Sequence, residues 1–162
     1  MTDENTTQPP GDNTPTFRLQ KLYIKDLSFE NPNSPEVFFL QESSPKVDFN
    51  LKMKNRKLEH DHWEETMSIT AKITDEKSDK ILFIVEIEHA GAFLLKNIPE
   101  ELIVKVLAVE CPTLMFPFTR QVVSQMSVDG GFIPFLMEPI NFLALYDANQ
   151  RKQQQGQEIP QQ

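Results

Sequence analysis

Three groups of side chains are of the types that chemistry needs, and each is short of partners. His60, Asp61 and His62 place two imidazoles and a carboxylate within three residues, which are ligand types a zinc ion accepts. They lie in a hydrophilic stretch with no further ligand nearby, so a solvated turn is expected there. Cys111 is the sole cysteine. A nucleophilic thiol needs a base beside it, whereas this one precedes Pro112 in an apolar stretch and reads as a small buried hydrophobe. One cysteine also excludes an intrachain disulfide and a cysteine zinc site within one chain. His89 closes the inward face of a strand and reads as a satisfied core or interface histidine. There is no glycine-rich phosphate loop, nucleophile elbow or helical metalloprotease pair. No catalytic residue, metal or cofactor is expected, and the chain reads as a non-enzyme.

The remaining chemistry is apolar recognition. Twelve Phe and six Met stand against one Trp and two Tyr. Met115, Phe116, Phe118, Phe132, Phe135, Met137 and Phe142 cluster in the second half. A packed core accounts for most such clusters. Here, however, Gly130-Gly131 and Pro134 place several of them in a loop, where apolar side chains call for a covering partner or ligand. Flexible Met- and Phe-rich surfaces suit promiscuous apolar binding. A Phe-lined pocket would also serve a small-molecule carrier or enzyme, which would show a bound ligand or turnover.

The elements that must position these residues change period once. Phe17, Leu19, Tyr23, Leu27 and Phe29 follow two-residue spacing, with Asp26, Ser28 and Glu30 on the other face, as in a half-buried strand. After the turn Asn31-Pro32-Asn33-Ser34-Pro35, Val47–Met53 and Met67–Ile73 alternate apolar and polar and read as a hairpin. The run from Ile81 to Glu88 is a fourth strand, with Phe83, Val85, Ile87 and His89 on one face and Ile84, Glu86 and Glu88 on the other. Turns too short for crossover helices imply an antiparallel sheet. Pro99-Glu100-Glu101 then starts a helix. Leu102–Val109 is apolar nearly all round, which implies a second partner, expected to be another subunit. Leu102, Val106 and Val109 are the candidate interface residues. Cys111-Pro112 is expected to break or kink this helix, with Phe118, Val122 and Met126 as the stripe of the next. A last helix is expected from about Pro139 to Gln153, with Ile140, Leu143 and Leu145 in the core.

The fold class is therefore α+β. Residues 1–16 read as a disordered arm, 17–150 as one domain and 151–162 as a flexible Gln-rich tail. A net charge of −8 disfavours nucleic acid as the main partner and favours basic or electropositive partners. No apolar run of about 18 residues is evident and the N-terminus lacks signal-peptide character, so a cytoplasmic protein without direct membrane insertion is expected.

Three segments carry a family resemblance across the ordered region. Tyr23-Ile24-Lys25-Asp26-Leu27-Ser28-Phe29-Glu30-Asn31-Pro32-Asn33, Cys111-Pro112-Thr113-Leu114-Met115-Phe116-Pro117-Phe118-Thr119-Arg120, and Phe132-Ile133-Pro134-Phe135 with Glu138-Pro139-Ile140-Asn141-Phe142 resemble, in order, segments of the bacterial SecB export-chaperone family. Thr113 and Phe118 stand where that family more often has Asn and Tyr. The resemblance implies a four-stranded antiparallel sheet with helices on one face, assembled as a homotetrameric dimer of dimers. It implies an ATP-independent holdase that keeps unfolded precursor proteins competent for translocation and delivers them to the ATPase SecA. Asp26, Glu30, Ile84 and Glu86 would meet SecA's basic, zinc-containing tail, and both segments fall on the polar face by parity. Phe38, Phe39, Met115, Phe116, Phe132, Phe135 and Phe142 would line the groove for extended polypeptide. A related chaperone dedicated to one client, such as an antitoxin, is the alternative.

Overall fold

Four long strands build one antiparallel sheet in the computed structural model, which describes residues 11–157. They are β1 (Thr16–Glu30), β2 (Pro45–Lys57), β3 (His62–Asp75) and β4 (Ile81–Lys96), in the order β1-β4-β3-β2, so that β1 and β2 are the open edges. The β2–β3 hairpin turns through His60 and Asp61, both at left-handed φ of 55° and 62°. Both ring nitrogens of His62 are engaged, by the Glu59 carbonyl and by Gln20. β4 runs eight residues past the expected Glu88. The small residues Ala90, Gly91 and Ala92 conceal its alternation in the sequence. A Cβ on Gly91 would stand 2.7 Å from the Phe93 ring and 3.3 Å from the Met115 sulfur, so its bareness lets side chains of the sheet and the helix close over it.

One face of the sheet is core. Met67, Ile69, Ala71 and Ile73 of β3 and Phe83, Val85, Ile87 and Phe93 of β4 are buried on it. The other face is polar and open. β1 departs from simple alternation because its register against β4 shifts at Gln20 and again at Lys25. Each shift inserts one residue and flips the parity. Phe17, Leu19, Leu27 and Phe29 therefore pair with inward β4 residues, as do Leu22 and Ile24, but Tyr23 pairs with Ala90 and lies on the outward face. This corrects the expectation that Tyr23 faces the core.

A helix of thirty residues, Glu100–Asp129, crosses the inward face without the break expected at Cys111-Pro112. A wider turn at Val106–Glu110 absorbs the proline, which cannot donate a hydrogen bond back to the preceding turn. The Thr113 hydroxyl donates to the Val109 carbonyl and helps satisfy that irregular turn. The buried stripe is Cys111, Met115, Thr119, Val123 and Ser127, at strict four-residue spacing. Small and polar members made it invisible to a search for apolar periodicity. Phe118, expected inward, is exposed, and Val122 and Met126 are half-buried. By length and composition this helix would also suffice to cross a membrane, contrary to the expectation from apolar runs, but its buried stripe packs on the sheet.

The last helix, Phe142–Gln157, begins with the Asn141 side chain accepting from the Ala144 amide at 3.0 Å, an N-cap. Its inward residue is Phe142, set edge-on to Phe116 at 5.9 Å, with Tyr146 one turn on. Leu143 and Leu145, expected in the core, are exposed. Most of the expected N-terminal arm and the end of the Gln-rich tail, residues 1–10 and 158–162, lie outside the described residues.

Candidate polypeptide-binding surfaces

Three surfaces expose groups of a kind suited to contact. The first borders β2. This edge strand runs against β3 for thirteen residues without a register shift. A regular edge presents an unbroken row of backbone donors and acceptors to an incoming strand. Beside it, Val47 and Phe49 face the loop Phe135–Ile140 across a groove of ≈ 480 Å³. Leu136, 60% exposed, and Ile133 just before the loop, 84% exposed, present apolar side chains to solvent there. The loop is pinned from behind: the Ser127 hydroxyl accepts from the Phe135 amide at 2.8 Å, and Met137 is buried.

The aromatic residues singled out from the sequence divide here. Phe135 lines the groove. Phe132 is half-buried, stacked between Phe38 and Phe83 at 5.2 and 4.8 Å. Phe38 and Phe39 are exposed on a short helical turn, Glu36–Phe39. Met115, Phe116 and Phe142 are not on a surface at all but in the core, a correction to their groove assignment, because Met115 packs on the sheet at Gly91 and Phe116 meets Phe142 between the two helices. Val47, Phe49, Leu136 and Ile140 were missed. The first two alternate regularly with polar residues, and such a strand looks half-buried in sequence when its apolar face is in fact an open wall.

The second surface is the outward face. Register places Glu30 beside Ile84, Ser28 beside Glu86 and Asp26 beside Glu88. The four residues assigned to motor docking, Asp26, Glu30, Ile84 and Glu86, therefore form one patch, joined by Glu88. None of its four carboxylates takes part in an ion pair among the described residues. Further along the same face, Glu64 of β3 binds Arg56 of β2 at 3.0 Å and Lys25 of β1 at 3.1 Å, and accepts the Tyr23 hydroxyl. Ala90 and Ala92 of β4 lie between, small enough for β1 side chains to lean across. The bond from Arg56 above all, with those from Tyr23 and Lys25, holds the Glu64 carboxyl down at about 2. Its sequence neighbour Glu65 points inward, buried with neither carboxyl oxygen partnered, and burial pushes it up to about 8. Two adjacent glutamates thus carry opposite protonation states at neutral pH because they face opposite sides of one strand.

The third surface is the β1 edge, where Leu22 and Ile24 join Phe118, Val122 and Met126 of the long helix in an apolar shelf over His89. His89 is buried beneath it, 2.8 Å from the Thr119 hydroxyl, and burial holds its pKa below the ordinary value. Of the residues expected to join subunits, Leu102 is exposed and Val106 half-buried. Val109 packs in the chain's own core, a correction to its interface assignment.

This arrangement, an antiparallel sheet with one helical face, defines a SecB-like chaperone fold. It matches a solved SecB-like chaperone of Mycobacterium tuberculosis in complex with an antitoxin peptide, with a TM-score of 0.64 at 12% identity, covering 76% of this chain and 90% of that one. The family model for SecB, the preprotein translocase subunit, matches residues 10–155. The protein-export protein SecB of Desulfotalea psychrophila is 56% identical, over 87% of this chain and 90% of its own length. The SecB of Magnetococcus marinus is 43% identical over 88% and 91%. The chain belongs to the SecB family.

Proposed function

We propose that this chain is a non-enzymatic, ATP-independent chaperone of the cytoplasm that holds unfolded precursor proteins along β2 and passes them to SecA. The observation that carries the reading is the conjunction at β2 of an unbulged edge with an open apolar groove. An extended chain laid there gains backbone pairing, which is indifferent to sequence, and alternate side-chain burial, which asks only for apolar character. Holding by these means needs no bound nucleotide.

The acidic patch supports delivery to a motor. Four carboxylates around Ile84, without an ion pair among the described residues, suit a basic tail with an apolar contact, and charge of this kind speeds encounter more than it tightens the final complex. A chaperone dedicated to a single client without a motor would have no use for this cluster. The apolar shelf at the β1 edge supports homo-oligomerisation, with Leu102 and Val106 as further contacts toward a dimer of dimers. Phe118 adds an apolar ring to that shelf, where a tyrosine would bring a hydroxyl to be satisfied.

Native mass spectrometry of the protein alone, with an unfolded precursor and with SecA tests the reading. The expected result is a tetramer that captures nonnative chains and binds SecA, with Asp26→Lys plus Glu86→Lys losing SecA while retaining the client. A monomer indifferent to both would overturn it, and unchanged SecA binding by the double variant would sink the docking patch.

A further inference from the structure

The outward face is electrically divided. At the Glu30 end, β1 and β4 carry Asp26, Glu30, Glu86 and Glu88 outward, bordered by Lys52 of β2 and Lys72 of β3. Toward the other end, the same register aligns Arg18, Lys21, Lys25 and Lys96 with Lys54 and Arg56 across the sheet. Glu64 lies among these six cations and pairs with Lys25 and Arg56, while Glu88 borders Lys25 and Lys54 where the two halves meet. Arg18, Lys21, Lys54 and Lys96 are exposed and have no ion pair among the described residues. A protein of net charge −8 thus keeps a net positive cluster at one end of this face.

At about 3.3 Å per strand residue the centres of the two halves lie roughly 20 Å apart. That exceeds the ~10 Å screening length at moderate salt, so the two centres attract separately although the halves meet at Glu88. A long polyanion such as RNA, or an anionic membrane, would have to lay its charge over the carboxylates as well as the cations. A polypeptide can alternate its sign along its length.

We infer that the outward face is a two-part docking site whose basic half, Arg18, Lys21, Lys54 and Lys96 around the Glu64 cluster, takes an acidic segment of the same polypeptide partner whose basic segment meets the acidic half. The inference rests on the docking reading of Asp26, Glu30 and Glu86 and extends it. Joining two modest contacts through one chain makes the second contact intramolecular, and affinity rises without any new surface. The acidic half supplies attraction; the basic half supplies orientation, since a partner laid in reverse would meet like charge at both ends.

Three synthetic probes test this by isothermal titration calorimetry at about 50 mM salt, where screening is weak. They are hexalysine, hexaglutamate, and the two joined by a Gly/Ser linker of about 12 residues, whose mean span is roughly 20 Å. The joined peptide should bind about tenfold or more tighter than hexalysine. Lys21→Glu with Lys54→Glu should abolish that gain and hexaglutamate binding, leaving hexalysine affinity unchanged. Neither lysine holds an ion pair among the described residues, and unchanged native mass and circular dichroism would exclude a folding defect. A joined peptide no tighter than hexalysine overturns the inference while leaving the acidic dock standing. Hexalysine that fails to bind, or binds equally well to Asp26→Lys plus Glu86→Lys, overturns the docking reading itself. Binding of anionic vesicles or single-stranded RNA that is tighter than the joined peptide and is lost in the lysine double variant would assign the basic half to a polyanion instead.

Discussion

Both open edges of the sheet are flanked by exposed apolar side chains, yet they are made differently. β1 carries register shifts at Gln20 and Lys25 and fronts a helix, with Leu22, Ile24, Phe118, Val122 and Met126 forming a fixed shelf. β2 has no shift along its length and fronts a loop, Phe135–Ile140. Bulges twist a strand and interrupt its row of free donors and acceptors, which blunts pairing with arbitrary chains. A rigid shelf suits one shape met repeatedly, such as a second copy of the chain. A regular edge beside a loop tolerates many shapes. The difference teaches that local backbone regularity, rather than apolar content, separates the edge proposed for assembly from the edge proposed for clients.

The largest effect should come from charging the shelf. Ile24→Asp with Phe118→Asp places two carboxylates in what would be a desolvated contact, once per subunit, and should convert the native mass from oligomer to monomer at micromolar concentration. An unchanged mass would break the comparison at the β1 edge. On the other edge, Phe49→Asp with Leu136→Asp should weaken capture of an unfolded precursor by about a hundredfold, some 3 kcal/mol, while leaving the native mass intact. Fluorescence titration against a reduced, unfolded client measures this. A variant that lost its mass but kept its client would show that the two roles had been assigned to the wrong edges.

Smaller effects sharpen how β2 is held. The Glu65 carboxyl, pushed up to about 8 by burial, keeps in the folded state a proton that the unfolded chain releases near the ordinary value of 4.5. Stability should therefore fall as pH rises from about 4.5 to about 8 and level off above. Glu65→Gln removes that slope and should stabilise the fold by about 1–3 kcal/mol at pH 8 in urea titrations. Equal pH slopes in the variant and the wild type would contradict the buried neutral acid. Glu64 works in the opposite sense. Its carboxyl is held down to about 2, so the tie it makes between Arg56 of β2 and Tyr23 and Lys25 of β1 is fully present above about 4.5 and is lost as pH falls toward 2. Glu64→Ala should cost about 1–2 kcal/mol at pH 7 and flatten the acid limb. No change in either would mean the cross-sheet tie is idle.

Much of the fold was legible because β2, β3 and the first half of β4 alternate cleanly, and the polar parity of Asp26, Glu30, Ile84 and Glu86 survived in the register. Tyr23 was misplaced because two bulges cancel: the apolar residues on either side keep their parity and only the residues between them change face. The long helix hid its buried stripe behind Cys111, Thr119 and Ser127, which are small enough to approach the sheet but not apolar enough to be counted. The groove was half legible. Phe135 was singled out by the logic of an apolar loop and lines the groove, whereas Val47 and Phe49 needed the knowledge that no element among the described residues closes over their face. Met115, Phe116 and Phe142 were assigned outward because richness in Phe and Met alone does not tell a binding wall from the packing of helices on the sheet and on each other.

Hydrogen exchange with and without a stably bound unfolded precursor tests the central claim most directly, because backbone pairing protects amides wherever the client lies. The account predicts new protection along residues 45–57 of β2 and in the loop 135–140, with β1 unchanged between the free and loaded oligomer. Protection that appeared on β1 and left β2 exchanging freely would contradict it.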